Sequence, residues 1–145
     1  MKIKILRQGD EDLFERVADD LFDNPIDPAL VREFLADPRH HIAVAVDGPA
    51  IVGFASGVHY VHPDKPAQLF INEVAVADHH QRRGHGSALL QALLAEGRAL
   101  GCHEAWVLTN IDNAAANRLY RAAGGSDGAD DSESPIVGYS FKLIP

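Results

Sequence analysis

Apolar and polar positions alternate along this chain with two periods, about two residues in some segments and about 3.6 in others, and the switches between them mark the elements. Ile3 to Leu6 fits a short strand. Gly9-Asp10 opens an amphipathic helix, with Glu11 and Asp12 in its first turn and Leu13, Phe14, Val17 and Leu21 as its apolar stripe. Asp27-Pro28 is a second helix start, a capping residue followed by proline, with Leu30, Phe34 and Leu35 facing a core. Ile42 to Val46 reads as a strand, Asp47-Gly48 as a turn, and Ile51 to Tyr60 as the returning arm of that hairpin. Val61 to Ala67, with Pro63 and Pro66, reads as a loop, and Gln68 to Val76 is the most strand-like run. Ser87 to Leu100 has helical spacing through Leu89, Leu90, Leu93 and Leu94, and Gly101 supplies its stop. Ala105 to Thr109 fits a strand, Ala114 to Ala123 an alanine-rich helix, and Val137 to Leu143 a last strand. The order β-α-α-β-β-β-α-β-α-β predicts an α/β (α+β) fold with a mixed central sheet flanked by helices.

No repeat or linker divides the 145 residues, so residues 1–145 read as a single domain. Hydrophobic residues make up 46% and charged residues 23%, a balance that supports a packed core rather than a disordered chain. No run approaches the roughly 18 apolar residues of a membrane helix, and the opening MKIKILRQGDED has no signal-peptide core. The one cysteine, Cys102, permits no internal disulfide and no cysteine-rich zinc site, and these features together point to the cytoplasm. A net charge of −8 disfavours nucleic acid as a partner and suits either solubility or a cationic substrate.

The densest chemical signal is Gln81-Arg82-Arg83-Gly84-His85-Gly86, between a strong strand and a strong helix. Glycines let the backbone turn tightly and present successive N–H groups to an anion, and a helix starting near Ser87 adds unpaired donors and its dipole. Arg82 and Arg83 supply positive charge, so the segment predicts a diphosphate cradle. A P-loop would need lysine after the second glycine, where Ser87 stands. A dinucleotide fingerprint would need glycine at Leu89 and its first glycine directly after the strand, whereas seven residues separate Val76 from Gly84.

The spacing Gln-x-x-Gly-x-Gly after a hydrophobic strand resembles the acyl-coenzyme A loop of the GNAT N-acetyltransferase family. Asn113-x-x-Ala116-x-x-Leu119-Tyr120-x-x-x-Gly124 is similar to that family's second motif, while Gly125 stands where the family usually has an aromatic residue. The resemblance implies that acetyl-coenzyme A is the cofactor and that amides from Arg82 to Ser87 hold its pyrophosphate. It also implies that the strand Val74-Ala75-Val76 pairs with the pantetheine arm, through Val74 and Val76 above all. Asn113 and Ala116 would lie near that arm, and Tyr120 near the thioester sulfur. Within the family, Phe70 to Val76, Arg82-Arg83, Leu100-Gly101 and Asn113 to Tyr120 look like the aminoglycoside 3-N-acetyltransferase branch. A homodimer is a further implication of the resemblance.

Acetyl transfer to an amine requires a base, a carbonyl polariser and a proton for the departing thiolate. Glu73 is the one ionisable residue inside the apolar strand Leu69 to Val76; it reads as base or substrate anchor, or as a strand carboxylate turned to solvent. Tyr120 is the candidate acid, because a phenol of pKa about 10 stays protonated beside a thiol of about 8.5. The backbone N–H of Val74 is the candidate polariser. Cys102 offers a covalent route, but no other motif residue accompanies it. The histidines, including His59-x-x-His62 with Asp64, form no closed ligand set, so no metal is expected. Candidate substrate residues are Asp23, Asn72, Glu73, Asn110, Asp127, Asp130 and Asp131. The aspartates among them belong to two acidic clusters, Asp19, Asp20, Asp23 and Asp27 in one, Asp127, Asp130, Asp131 and Glu133 in the other. The function expected is acetylation of a small polycationic amine, an aminoglycoside foremost. Polyamines, amino acid derivatives and protein N-termini are alternative substrates, and a non-catalytic acyl-coenzyme A sensor is the reading from another class.

Overall fold

A computed structural model describes residues 1–127 and 138–144. Met1–Asn110 form one compact unit and Ile111–Pro145 a second. The first holds a five-stranded sheet in the order β1-β2-β3-β4-β5, formed by β1 (Lys2–Ile5), β2 (His40–Asp47), β3 (Ala50–His62), β4 (Lys65–Val76) and β5 (Glu104–Val107). Its neighbours are antiparallel except β4 and β5, which run parallel, so the sheet is mixed as expected.

Two helices pack on this sheet. Helix α1 (Pro28–Ala36) starts at Asp27, whose carboxylate accepts from the Ala29 N–H at 2.8 Å. Helix α2 (His85–Ala99) buries Leu89, Leu90 and Leu93 completely or nearly so. On the α1 side of the sheet, Leu6, Leu21, Val31, Leu35, Ile42, Val44, Ile51 and Phe54 form the core, and Phe22 stacks on Phe54 at 4.3 Å. On the α2 side, Gly97 lets the helix approach Leu69 closely, because a Cβ there would lie 2.9 Å from the leucine side chain. Arg7 ties the end of β1 to α2 through a two-bond pair with Glu96 at 2.6 and 2.9 Å.

Three expectations change. The first amphipathic helix is only a 3₁₀ turn, Glu11–Glu15. The chain then becomes extended at Arg16, because Ile51 on β3 takes its backbone groups: Ile51 N–H donates to Arg16 O and Ala18 N–H to Ile51 O, at 2.8 and 2.9 Å. The loop expected at 61–67 is a two-residue hairpin through Pro63-Asp64, with His62 paired to Lys65. Pro66 is tolerated inside β4 because it lies at a register irregularity and ahead of the first residue paired with β5. The last strand is not formed over Gly138–Leu143. Tyr139, Phe141 and Leu143 alternate as a strand would, yet they are exposed and no described strand pairs with them; Val137, where that strand was expected to begin, lies outside the described residues.

The second unit contains α3 (Ala114–Ala122). The Asn113 side chain caps it, accepting from the Ala116 N–H at 3.0 Å. Its other end closes on Gly124, at φ 91°, with Gly124 N–H donating to Arg121 O and Gly125 N–H to Tyr120 O. A Cβ at Gly125 would stand 2.9 Å from the Tyr120 carbonyl oxygen, so the departure from the family pattern at this position goes with a tight helix stop.

Candidate active site

The site begins with an irregularity in β4. Gly57 pairs with Ile71, but Ser56 pairs with Glu73, so Asn72 is an extra residue bulged out of the ladder. Before the bulge, Leu69 and Ile71 face α2; after it, the alternation is reversed. Without the bulge Glu73 would lie under α2. With it, Glu73 turns to the opposite face, beside Ser56 and Phe54, in a cleft of about 320 Å³ whose far wall includes Leu30, Val31 and Phe34 of α1. Gly57 makes the bulge possible, because a Cβ there would lie 2.7 Å from the Phe70 carbonyl oxygen.

Burial, and then the nearby Asp23 carboxylate, push the Glu73 carboxyl above its ordinary range. Asp23 and Asn72 line the same cleft, so three of the expected substrate residues converge there. A second cavity, of about 890 Å³, shares Phe14, Phe22 and Asp23 with the first and adds the carboxylates of Glu11, Asp12, Glu15 and Asp19. Sequence reasoning missed Glu11, Asp12 and Glu15 as cavity residues, having assigned two of them to the polar turn of a helix. It also missed Ser56, which only the strand register brings to Glu73.

Other expected acids have structural partners. Asp20 accepts from the Asp78 N–H at 2.7 Å, Asp27 caps α1, and Asp127 pairs with Arg121 at 2.7 Å. Asn110 is exposed at the end of the first unit, and Asp130, Asp131 and Glu133 lie outside the described residues.

The bulge also opens β4 on its other edge. Strand β5 pairs with β4 only from Gln68 to Ile71, so among the described residues Asn72 to Val76 have β3 on one side and no strand on the other. The Ala77 N–H donates to Val52 O across on β3, so by alternation Val74 and Val76 direct their backbone groups to the open edge and Ala75 towards β3. The Val76 carbonyl accepts from the Gln81 side-chain amide at 2.9 Å, and that amide also donates to Asp78 at 3.0 Å. Gln81 is therefore a brace for the loop that follows.

In that loop Arg82 has φ 58° and Gly84 φ 81°, both left-handed, which curls the backbone so that successive amides point the same way. The loop is held by Asp20 at Asp78 and by His80 on Asp47 at 3.0 Å. Helix α2 begins at His85, two residues earlier than expected, with Gly84 as a cap that offers no side-chain acceptor. The amides of His85, Gly86 and Ser87 in its first turn are left for an outside anion. Arg82 and Arg83 are exposed beside them, and a Cβ at Gly84 would meet no atom within 4 Å, so the cradle is open above the glycine.

Tyr120 is half-buried on α3 and Cys102 half-buried after α2, where burial pushes its thiol up, against a role as a thiolate nucleophile. His59 bonds His41 at 2.7 Å, while His62 pairs with Asp64. Among the described residues no three His, Cys, Asp or Glu side chains converge as a metal site, and no helix is long and apolar enough to cross a membrane.

The model of the acetyltransferase (GNAT) family matches residues 8–124. An L-2,4-diaminobutyric acid acetyltransferase from Nocardia farcinica is 32% identical over 99 residues; the match covers 68% of this chain, which spans about half (50%) of that relative's length. Among solved structures, an aminoglycoside acetyltransferase from an uncultured soil metagenomic sample, in complex with trehalose, superposes with a TM-score of 0.79 at 21% identity over 99% of this chain and 96% of that one. Aminoglycoside N-acetyltransferase AAC(6')-Iy in complex with CoA superposes with a TM-score of 0.75 at 20% identity, over 99% and 95%. These two likenesses establish the fold, and the family match covers the bulged strand, the glycine loop and α3 up to Gly124. The chain belongs to the acetyltransferase (GNAT) family.

Proposed function

We propose that this chain transfers an acetyl group from acetyl-coenzyme A to a primary amine of a small polycationic molecule, by direct attack within a ternary complex. The observation that carries this reading is the β4 bulge, which turns Glu73 into an acid-lined cleft and opens the backbone edge at Val74 and Val76.

The residues fit the cofactor by chemistry. The left-handed turn at Arg82 and Gly84, with the first amides of α2, suits a diphosphate, and the exposed arginines match its charge. The open amides of Val74 and Val76 suit an extended amide-bearing arm, which can add to a strand edge as peptides do. Asn113, Ala116 and Tyr120 are assigned to the cofactor on their motif. Bound there, acetyl-coenzyme A supplies an acetyl group activated as a thioester. The chain's own residues do the rest. Glu73 takes a proton from the ammonium, directly or through water, and its raised pKa suits a base that must also release that proton. The Val74 N–H faces the open edge and polarises a carbonyl laid along it. The Tyr120 phenol holds the proton needed by a leaving thiolate.

The amine is less narrowly defined. An aminoglycoside fits the carboxylates of the two cavities, and the Phe70 to Val76 segment favours the 3-amino position, whereas a solved structure of like fold carries a 6'-type name. The relative named for diaminobutyric acid favours a second reading, a small diamino acid. Incubation with acetyl-coenzyme A and gentamicin, spermidine or 2,4-diaminobutyrate, followed by mass spectrometry, separates them. A monoacetylated aminoglycoside supports the first reading, and acetylated diaminobutyrate alone replaces it with the second.

A further inference from the structure

We propose that Ser56 is a substrate-binding residue whose Oγ accepts a hydrogen bond from the reacting amine and holds it beside the Glu73 carboxylate. The inference rests on the amine-acetylation reading above and adds a residue to it. Ser56 lies in the middle of β3 and is 9% exposed; His41 is the other buried polar residue among those described. Its hydroxyl makes no hydrogen bond to any described residue, yet it lines the cleft with Asp23, Asn72 and Glu73. The hydroxyl is a polar group on a wall otherwise formed by Ile42, Phe22 and Phe54, and it is open to the cleft that a polar ligand would fill.

The register identifies which ligand atom it meets. Ser56 and Glu73 are directly paired residues on one face of antiparallel strands, a relation that sets their Cβ atoms about 4.5–5.5 Å apart. One nitrogen between them can donate to both oxygens at ordinary hydrogen-bond lengths. A serine hydroxyl keeps two acceptor lone pairs whether or not it donates its own proton. Its acceptor capacity is therefore left for the substrate. A neutral acceptor also suits the task, because it orients the amine without competing for the proton that Glu73 takes.

The test is steady-state kinetics of wild type and Ser56→Ala, with thermal unfolding of both. The expected result is an amine KM raised about 10-fold or more, an acetyl-coenzyme A KM within about twofold of wild type, and a Tm no lower than wild type, since the residue lost was unpaired. An amine KM within about twofold of wild type would overturn the assignment while leaving the acetyltransferase reading intact. A lower Tm with both KM values raised would also overturn it, showing a structural hydroxyl. Wild type that releases no thiol with any amine would overturn the underlying reading, and the Ser56 role with it.

Discussion

Glu73 is held in a state that costs stability and serves proton transfer. Its folded pKa is raised by burial and by Asp23, so the native chain keeps this proton at a pH where the unfolded chain has lost it. Stability therefore falls as pH rises through the window from the ordinary glutamate value to the raised one, and the deficit persists at neutral pH. Glu73→Gln should raise Tm at neutral pH while lowering turnover by about 10²- to 10⁴-fold. It should also abolish the acidic limb of the pH–rate profile, and a limb that survives would identify another base. Tyr120→Phe should lower turnover about 10-fold or more with acetyl-coenzyme A KM nearly unchanged; equal turnover would remove the phenol as acid. At this scale the sequence was informative where a residue contradicts its surroundings, as Glu73 does within Leu69 to Val76. Ser56 was silent, because a serine between Ala55 and Gly57 contradicts nothing until register sets it against Glu73. Asp20 and Asp27 counted as binding acids by proximity in sequence, whereas one holds the loop before α2 and the other caps α1.

At the scale of elements, one bulge performs two tasks, turning Glu73 to the cleft and ending the β4–β5 ladder at Ile71. Gly57→Ala tests this, because its Cβ would press on the Phe70 carbonyl oxygen at 2.7 Å in rigid backbone. The expected outcome is a stability loss of about 1–3 kcal/mol by urea unfolding, with amine kcat/KM falling further than the loss of folded protein explains. The central strands were legible from their apolar, β-branched runs, α2 from its helical spacing of leucines, and α3 from its alanine content. The bulge was not, since one extra residue leaves no mark on a run of apolar and polar positions. Elements decided by distant partners were misread: residues 16–18 follow β3 rather than helical spacing, and 61–67 reads as a loop only if both prolines are taken as breakers.

Across the whole molecule, the charge of −8 is unevenly placed. Glu11, Asp12, Glu15, Asp19, Asp23 and Glu73 surround the two cavities, while Arg82 and Arg83 flank the loop assigned to the cofactor. Raising ionic strength from about 0.1 M to 1 M shortens the screening length from about 10 Å to 3 Å, so KM for a polycationic amine should rise several-fold. KM for a monoamine should rise less, and equal changes would reduce the outer carboxylates to solvated surface. Together these parts are assigned to one reaction, acetyl transfer to an amine. Its most direct test is thiol release from acetyl-coenzyme A in the presence of aminoglycosides, polyamines, diamino acids and peptides. Release should depend on a polycationic amine and be nearly lost in Glu73→Gln; acetyl-coenzyme A binding with no release for any amine would overturn acetyl transfer and leave a sensor.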